Sequence, residues 1–154
     1  MAVEIPLTRG YVMLIDEEDA EWVSARKWQA YPAPHTTYVT GNVHGKRVHL
    51  HRLLLNAPDG LEVDHINRNG LDNRRCNLRL ATHAQNEANK PPRGQYKGAY
   101  WCERTGRWRA LIRVDGHLKH LGRFDSVAEA ARAYDVAALE AFGEFAYLNF
   151  RIEP

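Results

Sequence analysis

The sequence predicts a mixed α+β protein built from two domains. Residues 61–89 follow a strand, loop, strand, helix order, and residues 96–150 contain three strand-like runs followed by one long alanine-rich helix. Between them, residues 91–95 are rich in proline and glycine, a composition typical of a linker. The prediction is therefore a first domain over residues 1–90, a linker over 91–95 and a second domain over 96–150.

The first 60 residues predict a small sheet with short helical pieces. An apolar run at 10–15 suits a buried strand, and the acidic segment at 16–21 is typical of a helix start. His44 and Gly45 are suited to a hairpin turn. Further strands are predicted at 28–31, 38–43 and 47–50, and one helical turn at 51–55.

Residues 61–90 carry a long polar loop between two strands. Residues 61–66 are extended, 67–70 form a turn, and 71–77 are rich in Asp, Asn and Arg, which predicts a loop. A second short strand at 78–80 precedes Thr82, which is suited to cap a helix over 83–89. Two consecutive prolines then end that helix, because proline cannot continue it.

The second domain predicts a three-stranded antiparallel sheet packed on one helix. Strand-like runs at 96–102, 108–114 and 118–122 are separated by glycine-containing turns, and Asp115-Gly116 is a strong hairpin signal. Ser126 and Glu129 form a capping-box pattern that opens a helix ending near Phe142. Its many alanines allow the helix to lie close against the sheet.

The composition excludes several classes of protein. No N-terminal segment resembles a signal peptide and no apolar run approaches the roughly 18 residues that cross a bilayer, so we expect a soluble, cytoplasmic protein with no membrane partner. Cys76 and Cys102 are too few for a disulfide framework or a cysteine-rich zinc site. No heptad pattern indicates a dimer seam, which favours a monomer.

The small net charge of +2 conceals a separation of charge along the chain. The charged residues among positions 94–123 are mostly Lys and Arg, whereas those among positions 124–154 are mostly Asp and Glu. A basic element followed by an acidic one is typical of a protein with one face turned toward phosphate groups. Ordinary scatter of surface charge is the alternative.

Four polar positions have the spacing of a hydrolytic site. Asp64 and His65 are adjacent, Asn77 follows twelve positions after the histidine, and Asn86 nine positions later. Hydrolysis of a phosphodiester needs a base for water and a cation for the phosphate charge. Histidine suits the first need, and hard oxygen ligands favour Mg²⁺ or a similar ion over zinc. A lone Asp-His pair is more often structural, so the spacing carries the prediction.

These residues resemble the ββα-metal HNH motif of phage-encoded homing endonucleases. The matching segments are Val63-Asp-His-Ile-Asn67, Asn73, Asn77-Leu-Arg79 and Asn86, with His51-Arg-Leu53 upstream. The resemblance implies that His65 is the general base and that Asp64 and Asn86 hold one Mg²⁺ or Mn²⁺ ion. It also implies that Asn77, and similarly Asn73, brace the loop. Asn86 stands where many relatives have histidine, which favours single-metal chemistry.

Other polar residues of this region admit two interpretations. His51 either contacts phosphate or holds the local fold, and His83, one turn before Asn86, either lies near the metal or is structural; the structural interpretation is preferred for both. Four arginines are predicted to contact the DNA backbone, although they would also serve solubility alone. They are Arg68, Arg74, Arg75 and Arg79.

The second strand of the C-terminal region separates two faces by alternation. Trp108, Ala110 and Ile112 are apolar and are predicted to pack on the helix. The opposite face carries guanidinium groups, which bind guanine edges or phosphates. Its members are Arg107, Arg109, Leu111 and Arg113.

Residues 96–150 resemble the DNA-binding domain of plant ethylene-response factors. The resemblance lies in Tyr96-Lys-Gly98, Gly106-Arg-Trp-Arg-Ala110, Ile112-Arg113, Leu121-Gly122, Phe124, Ala130-Ala131, Ala133-Tyr-Asp135, Gly143 and Leu148-Asn-Phe150. It implies that the sheet enters the major groove of duplex DNA. By position, the implied contacts are Tyr100, Arg104, Arg109, Leu111 and Arg113, with Leu118 and His120 as additions. Trp101 remains open between core packing and DNA contact.

Together the two resemblances imply an endonuclease that prefers particular sites. Such an enzyme would hydrolyse duplex DNA as a nicking or homing nuclease, in a bacterial host cell if it is phage-encoded. The alternative is a non-catalytic, sequence-specific DNA-binding regulator with a degenerate HNH scaffold. Every chemical group that the reaction needs is present in the sequence, which argues against this alternative.

Overall fold

The computed structural model describes residues 1–150 of the chain. It divides into two compact units, the first over Met1–His83 and the second from Ala84 onward. The mixed α+β composition predicted from the sequence is confirmed. No helix of the described residues is long and apolar enough to cross a membrane.

The first unit contains three small antiparallel sheets and two short helices. The first sheet pairs β1 with β2, the second has the order β3-β4-β5, and the third pairs β6 with β7. Helix α1 begins after Asp16, and its first turn carries three acidic residues, which suit the positive end of a helix. The elements are β1 (Ala2–Pro6), β2 (Val12–Asp16), α1 (Glu17–Ser24), β3 (Trp28–Pro32), β4 (Thr37–Val43), β5 (Lys46–His49), α2 (Leu50–Leu54), β6 (Glu62–His65) and β7 (Leu78–Ala81).

The predicted hairpin between β4 and β5 is confirmed. Val43 pairs with Lys46, so only His44 and Gly45 form the loop. Both have positive φ values, 51° and 79°, as a two-residue hairpin turn that follows the strand twist requires.

A single apolar core joins the sheets of the first unit. Met13 and Ile15 of β2 are fully buried, as are Val23, Val39 and Leu50. The indole of Trp28 lies in the same cluster, and its Nε1 donates to the backbone oxygen of Val23 at 2.9 Å. The β6–β7 hairpin joins this core through Val63 and Leu78, which are 7% and 6% exposed.

The second unit contains the predicted three-stranded antiparallel sheet on one long helix. Strand β9 lies in the middle, with β8 and β10 on either side. The capping box is formed, because the Ser126 side chain accepts from the Glu129 backbone and the Glu129 side chain accepts from the Ser126 backbone. The elements are α3 (His83–Asn89), which begins at the last residue of the first unit, β8 (Ala99–Cys102), β9 (Arg107–Val114), β10 (His117–Phe124) and α4 (Val127–Phe142).

Close packing of small residues holds α4 against the sheet. Ile112 of β9 packs on Tyr134 and Ala138 of α4, and Ala138 is fully buried. Gly98 lies directly under the Tyr134 ring, where an added Cβ would come within 1.9 Å of the ring. Its φ of +78° also favours glycine, so two independent constraints fix this position.

Candidate functional site

The β6–β7 hairpin places Asp64 and His65 at the end of β6. Asp64 lies opposite Arg79, and His65 lies opposite Leu78. Asp64 is 4% exposed and His65 is 5% exposed. The carboxylate and the imidazole are therefore held by regular backbone pairing in a largely buried environment.

Arg79 forms a buried ion pair with Asp64. Nε and Nη2 of Arg79 each lie 2.8 Å from Oδ2 of Asp64, and the arginine side chain is only 12% exposed. A buried carboxylate is costly without such a partner. Arg79 therefore compensates the charge of Asp64 within the first unit, and its contact with DNA stays a prediction.

Asn77 ties together the two ends of the loop between β6 and β7. Its Oδ1 accepts from the backbone N–H of Asn67 at 2.9 Å, and its Nδ2 donates to the backbone oxygen of Asp72 at 2.8 Å. The backbone oxygen of Asn77 also accepts from the N–H of Ile66. One buried amide thus fixes the chain immediately after His65.

Asn73 lies at the point where the same loop meets β2. Its side chain is completely buried and donates to the backbone oxygen of Gly70 at 3.2 Å. Its backbone N–H donates to the oxygen of Leu14 at 2.8 Å, while the N–H of Leu14 donates to the oxygen of Leu71 at 2.9 Å. The loop is therefore connected to the N-terminal sheet by backbone hydrogen bonds.

Arg74 and Arg75 each form a two-point contact with a carboxylate of the first unit. Arg74 contacts Asp72 through Nε at 2.8 Å and Nη2 at 2.7 Å. Arg75 contacts Asp19 of α1 through Nε at 2.9 Å and Nη2 at 2.8 Å, and its Nη1 donates to the backbone oxygen of Leu54 at 2.7 Å. These hydrogen bonds are the main reason that the pKa values of Asp72 and Asp19 are lowered. Both guanidinium groups thus stabilise the loop.

The imidazole of His65 packs together with two other imidazoles and one phenol ring. The His51 ring is 5.1 Å from the His65 ring in an edge-on arrangement, and it stacks on the His49 ring at 5.1 Å. Tyr38 contacts all three, with ring distances of 5.6 to 5.9 Å. We call these four residues the histidine cluster.

Burial favours the uncharged form of the three imidazoles by lowering their pKa values. It lowers the pKa of His51 to about 2, and the nearby His65, His49 and Arg52 act in the same direction. Burial also lowers the pKa of His65, although a hydrogen bond with the Asn73 side chain and the charge of Asp64 oppose it. The pKa of His49 is lowered for the same main reason. His65 is therefore in the neutral form that can accept a proton.

His83, Asn86 and Arg68 are the remaining predicted residues. His83 begins α3, and its Nδ1 lies 2.8 Å from Oε1 of Glu62 in β6. Asn86 is half-buried on α3, within the second unit. Arg68 is exposed in the turn after β6 and has a positive φ of 65°.

A group of acidic side chains lies apart from these residues. Among residues 1–150, Asp16, Glu18 and Asp19 form the only group of three or more His, Cys, Asp or Glu side chains whose ligand atoms lie within 4.8 Å of one another. Arg75 contacts all three carboxylates, because its guanidinium lies against Asp19 and Glu18 and its backbone N–H donates to Asp16. This group is therefore explained by the arginine.

The exposed face of the C-terminal sheet follows from its register, because residues directly opposite each other in an antiparallel pair share a face. Ala110 and Ile112 of β9 lie on the buried face against α4. The β9 residues that alternate with them therefore point to the opposite face. We call this second surface the reading face. It carries Arg109 opposite Tyr100 and Arg123, Leu111 opposite His120, and Arg113 opposite Leu118.

Trp101 and Arg104 lie away from the centre of the reading face. Trp101 is opposite Trp108, and the two indoles meet edge-on at 5.4 Å on the side that faces α4. The Trp101 side chain is nevertheless 44% exposed. Arg104 is exposed in the turn between β8 and β9. The structure thus places Trp101 beside the partly buried Trp108 and Arg104 at one end of the sheet.

Known proteins resemble the chain over most of its length. A family model described as HNH endonuclease matches residues 56–88. An uncharacterized HNH endonuclease of Acanthamoeba polyphaga mimivirus is 33% identical over 133 residues, which cover 82% of this chain and 68% of that protein. The chain belongs to the HNH endonuclease family. No solved structure matches this chain.

The C-terminal region of the chain is similar to plant DNA-binding domains. APETALA2-like protein 2 of Oryza sativa subsp. indica is 45% identical over 58 residues, which are 38% of this chain and 13% of the plant protein. An AP2-like ethylene-responsive transcription factor of Arabidopsis thaliana is 47% identical over 58 residues, which are 38% and 12% of the two chains. The chain spans only a small part of each plant protein, so the similarity concerns this region alone.

The sequence alone does not single out Tyr38 or Arg123 at these sites. Tyr38 and His49 join the histidine cluster from β4 and β5, and nothing local in the sequence indicates that they meet His65. Arg123 lies on the reading face because a bulge between His120 and Gly122 shifts the register of β10. Simple alternation from Leu118 would have placed Arg123 on the opposite face. Gly122, a residue type that is common at bulges, is the only local sequence signal that could have indicated the position of Arg123.

Proposed function

We propose that this HNH endonuclease hydrolyses phosphodiester bonds of duplex DNA with His65 as the general base. The observation that carries the proposal is the position of His65, buried and uncharged beside Asp64 at the end of β6. A neutral imidazole can accept a proton from water, whereas an imidazolium cannot. The activated oxygen then bonds to phosphorus as the bond from phosphorus to the leaving oxygen breaks.

Asp64 and Asn86 are the proposed ligands of one divalent ion, within the ββα-metal arrangement that the family resemblance implies. A carboxylate and an amide oxygen are hard donors, so the donor set fits Mg²⁺ or Mn²⁺ better than zinc. When bound, such an ion stabilises the negative charge that develops on the phosphate. Arg79 orients the Asp64 carboxylate through its two contacts to Oδ2.

The reading face is the proposed surface for duplex DNA. Arg109, Arg113 and Arg123 of this face lie on two adjacent strands and can contact base edges or phosphates. Leu111 and Leu118 on the same face offer apolar contacts. The similarity to plant DNA-binding domains supports this use of the sheet.

The proposal is tested by selecting a DNA site first and measuring cleavage afterwards. Selection from a random duplex library without divalent ions gives the preferred site, which is then placed once in a supercoiled plasmid. Wild-type protein should cut this plasmid with Mg²⁺ or Mn²⁺ and should not cut it with a chelator. His65→Ala should lower the cleavage rate by about 10²- to 10⁴-fold while DNA affinity changes little.

The matched control is His35→Ala, which removes an exposed loop histidine of the same unit. It should cut at the wild-type rate. Tight binding to the selected site without cleavage in any divalent ion would instead favour the non-catalytic regulator.

A further inference from the structure

The C-terminal end of α3 is held by one lysine of the reader domain, residues 96–150. The last backbone oxygens of a helix have no partner within the helix. Nζ of Lys97 donates to the oxygens of Glu87 at 2.9 Å, Ala88 at 2.7 Å and Lys90 at 2.7 Å. The ammonium group therefore caps the end of α3 and lies at the negative end of its dipole.

Lys97 is itself fixed from both sides by the reader domain. Its backbone N–H donates to Oδ1 of Asn149 at 2.7 Å, and its backbone oxygen accepts from Nδ2 of Asn149 at 3.0 Å. Nδ2 and the backbone N–H of Asn149 both donate to Oδ1 of Asp135 on α4, at 2.8 and 2.9 Å. A continuous chain of hydrogen bonds thus runs from α4 through Asn149 and Lys97 to α3.

A second contact joins the same elements. The backbone N–H of Tyr147 donates to the oxygen of Ala88 at 3.0 Å. The Tyr147 ring also lies 5.8 Å from Nζ of Lys97, a distance at which a ring attracts a cation. The end of α3 is therefore bound to the reader domain through its backbone, independently of the side chains that α3 carries.

A lysine in a DNA-binding domain would ordinarily be expected to contact phosphate. An ammonium group has three donor protons, and three backbone oxygens accept from Lys97 in this structure. Binding DNA through Lys97 would require that these hydrogen bonds break and leave helix-end oxygens without their partner. The contacts therefore favour a role toward α3 over a role toward DNA.

We propose that Lys97 is a positioning residue for Asn86, so that the reader domain holds the helix that carries the proposed second metal ligand. This inference rests on the proposed function, which assigns Asn86 to the metal. Asn86 immediately precedes the turn that Lys97 caps. From Ala84 onward, α3 lies in the same compact unit as the reader domain. Fixing the end of α3 restricts the orientation of Asn86.

The experiment uses the full chain with three substitutions at or near this contact. Lys97→Met removes the ammonium and keeps most of the side-chain volume, whereas Lys97→Arg keeps a charged donor that can rescue the contact. Lys90→Met is the matched control, because the Lys90 ammonium contacts the exposed Glu87 carboxylate instead of the backbone oxygens that Lys97 caps. All three leave the reading face unchanged.

The first measurement is amide hydrogen exchange of residues 87–90 in the metal-free protein. Lys97→Met should increase the exchange rate about tenfold, because charge-assisted hydrogen bonds to the helix end are lost. The exchange rate of Lys97→Arg should stay within about threefold of the wild-type rate, and that of Lys90→Met should equal the wild-type rate. Unchanged exchange in Lys97→Met would overturn the proposal.

The second measurement is Mn²⁺ binding by electron paramagnetic resonance, together with DNA affinity without metal. Lys97→Met should weaken Mn²⁺ binding about tenfold and leave DNA affinity unchanged. Weaker DNA binding with unchanged Mn²⁺ binding would instead make Lys97 a DNA contact and overturn the proposal. Asn86→Ala separates the two levels of the argument. If it leaves Mn²⁺ binding unchanged, the ligand assignment of the proposed function fails, whatever α3 exchange shows in Lys97→Met.

Discussion

The histidine cluster should make the first unit sensitive to mild acid. His51 has an ordinary pKa of 6.5 when the chain is unfolded and a pKa of about 2 in the folded protein. Between these values the unfolded chain binds a proton that the folded chain does not. The unfolding free energy therefore carries no penalty from His51 well above pH 6.5, and it falls as the pH drops below this value.

The size of this loss follows from the two pKa values. At pH 5.0 the unfolded imidazole is mostly protonated, and its protonation favours the unfolded chain by about 2 kcal/mol relative to pH 7.5. His49 and His65 also have lowered pKa values, so they add to the loss in the same direction. Wild-type protein should therefore lose at least about 2 kcal/mol of unfolding free energy over this range.

The assay is urea unfolding at pH 7.5 and pH 5.0, followed by pulsed hydrogen exchange of peptides from residues 1–83. Peptide resolution separates this unit from the C-terminal one. His51→Gln removes the titrating group, so its loss between the two pH values should be smaller than that of wild type by about 2 kcal/mol. His35→Gln, at an exposed position, is the control and should behave as wild type. An equal loss in wild type and His51→Gln would refute the reasoning.

Four further predictions concern other contacts of the same molecule. Arg79→Met should destabilise the first unit by about 3–5 kcal/mol, measured by urea unfolding at neutral pH, because it leaves Asp64 buried without its partner; a change in DNA affinity alone would contradict the ion pair. Asn77→Ala should cost about 2–4 kcal/mol in the same assay, since two buried hydrogen bonds are lost, and a loss below 1 kcal/mol would mean that water replaces the amide. Arg109→Ala should lower discrimination between the selected site and its single-base variants by about 1–3 kcal/mol in competition binding; an equal loss of affinity for all sequences would make Arg109 a phosphate contact. Plasmid with one selected site should first give open circles, because one His65 per monomer cuts one strand, and immediate linear product would indicate a dimer.

Elements with strong local signals were predictable from the sequence. The β4–β5 hairpin needs two residues with positive φ, and His44-Gly45 supplies them. Helix α4 begins at a capping box, and its alanine-rich face explains its position on the sheet. The strand, loop, strand, helix order at the nuclease motif was read correctly for the same reason, since the polar loop contrasts with short apolar strands. Strand β1 was not predicted, because Val3 and Ile5 alone alternate in it and Pro6 ends it.

The use of the arginines could not be predicted, because it depends on contacts between distant segments. Arg75 meets Asp19, 56 positions earlier, and Arg79 meets Asp64 across the hairpin. Composition cannot distinguish such internal ion pairs from contacts with DNA, since both use the same guanidinium group. The histidine cluster could not be predicted for the same reason. Tyr38, His51 and His65 meet only when two strands, β4 and β6, have packed with helix α2.

The backbone connection between the polar loop and β2 also bears on how the protein is made. Leu14 exchanges hydrogen bonds with Leu71 and Asn73, and Asp19 receives Arg75, so the loop depends on segments that leave the ribosome about fifty residues earlier. During synthesis the N-terminal part is available to fold first. The β1–β2 hairpin and α1 can thus be in place before the nuclease loop emerges. A polypeptide that begins shortly before residue 56 would lack Leu14 and Asp19. Its loop would therefore have to fold without the hydrogen bonds and the ion pair that these two residues provide.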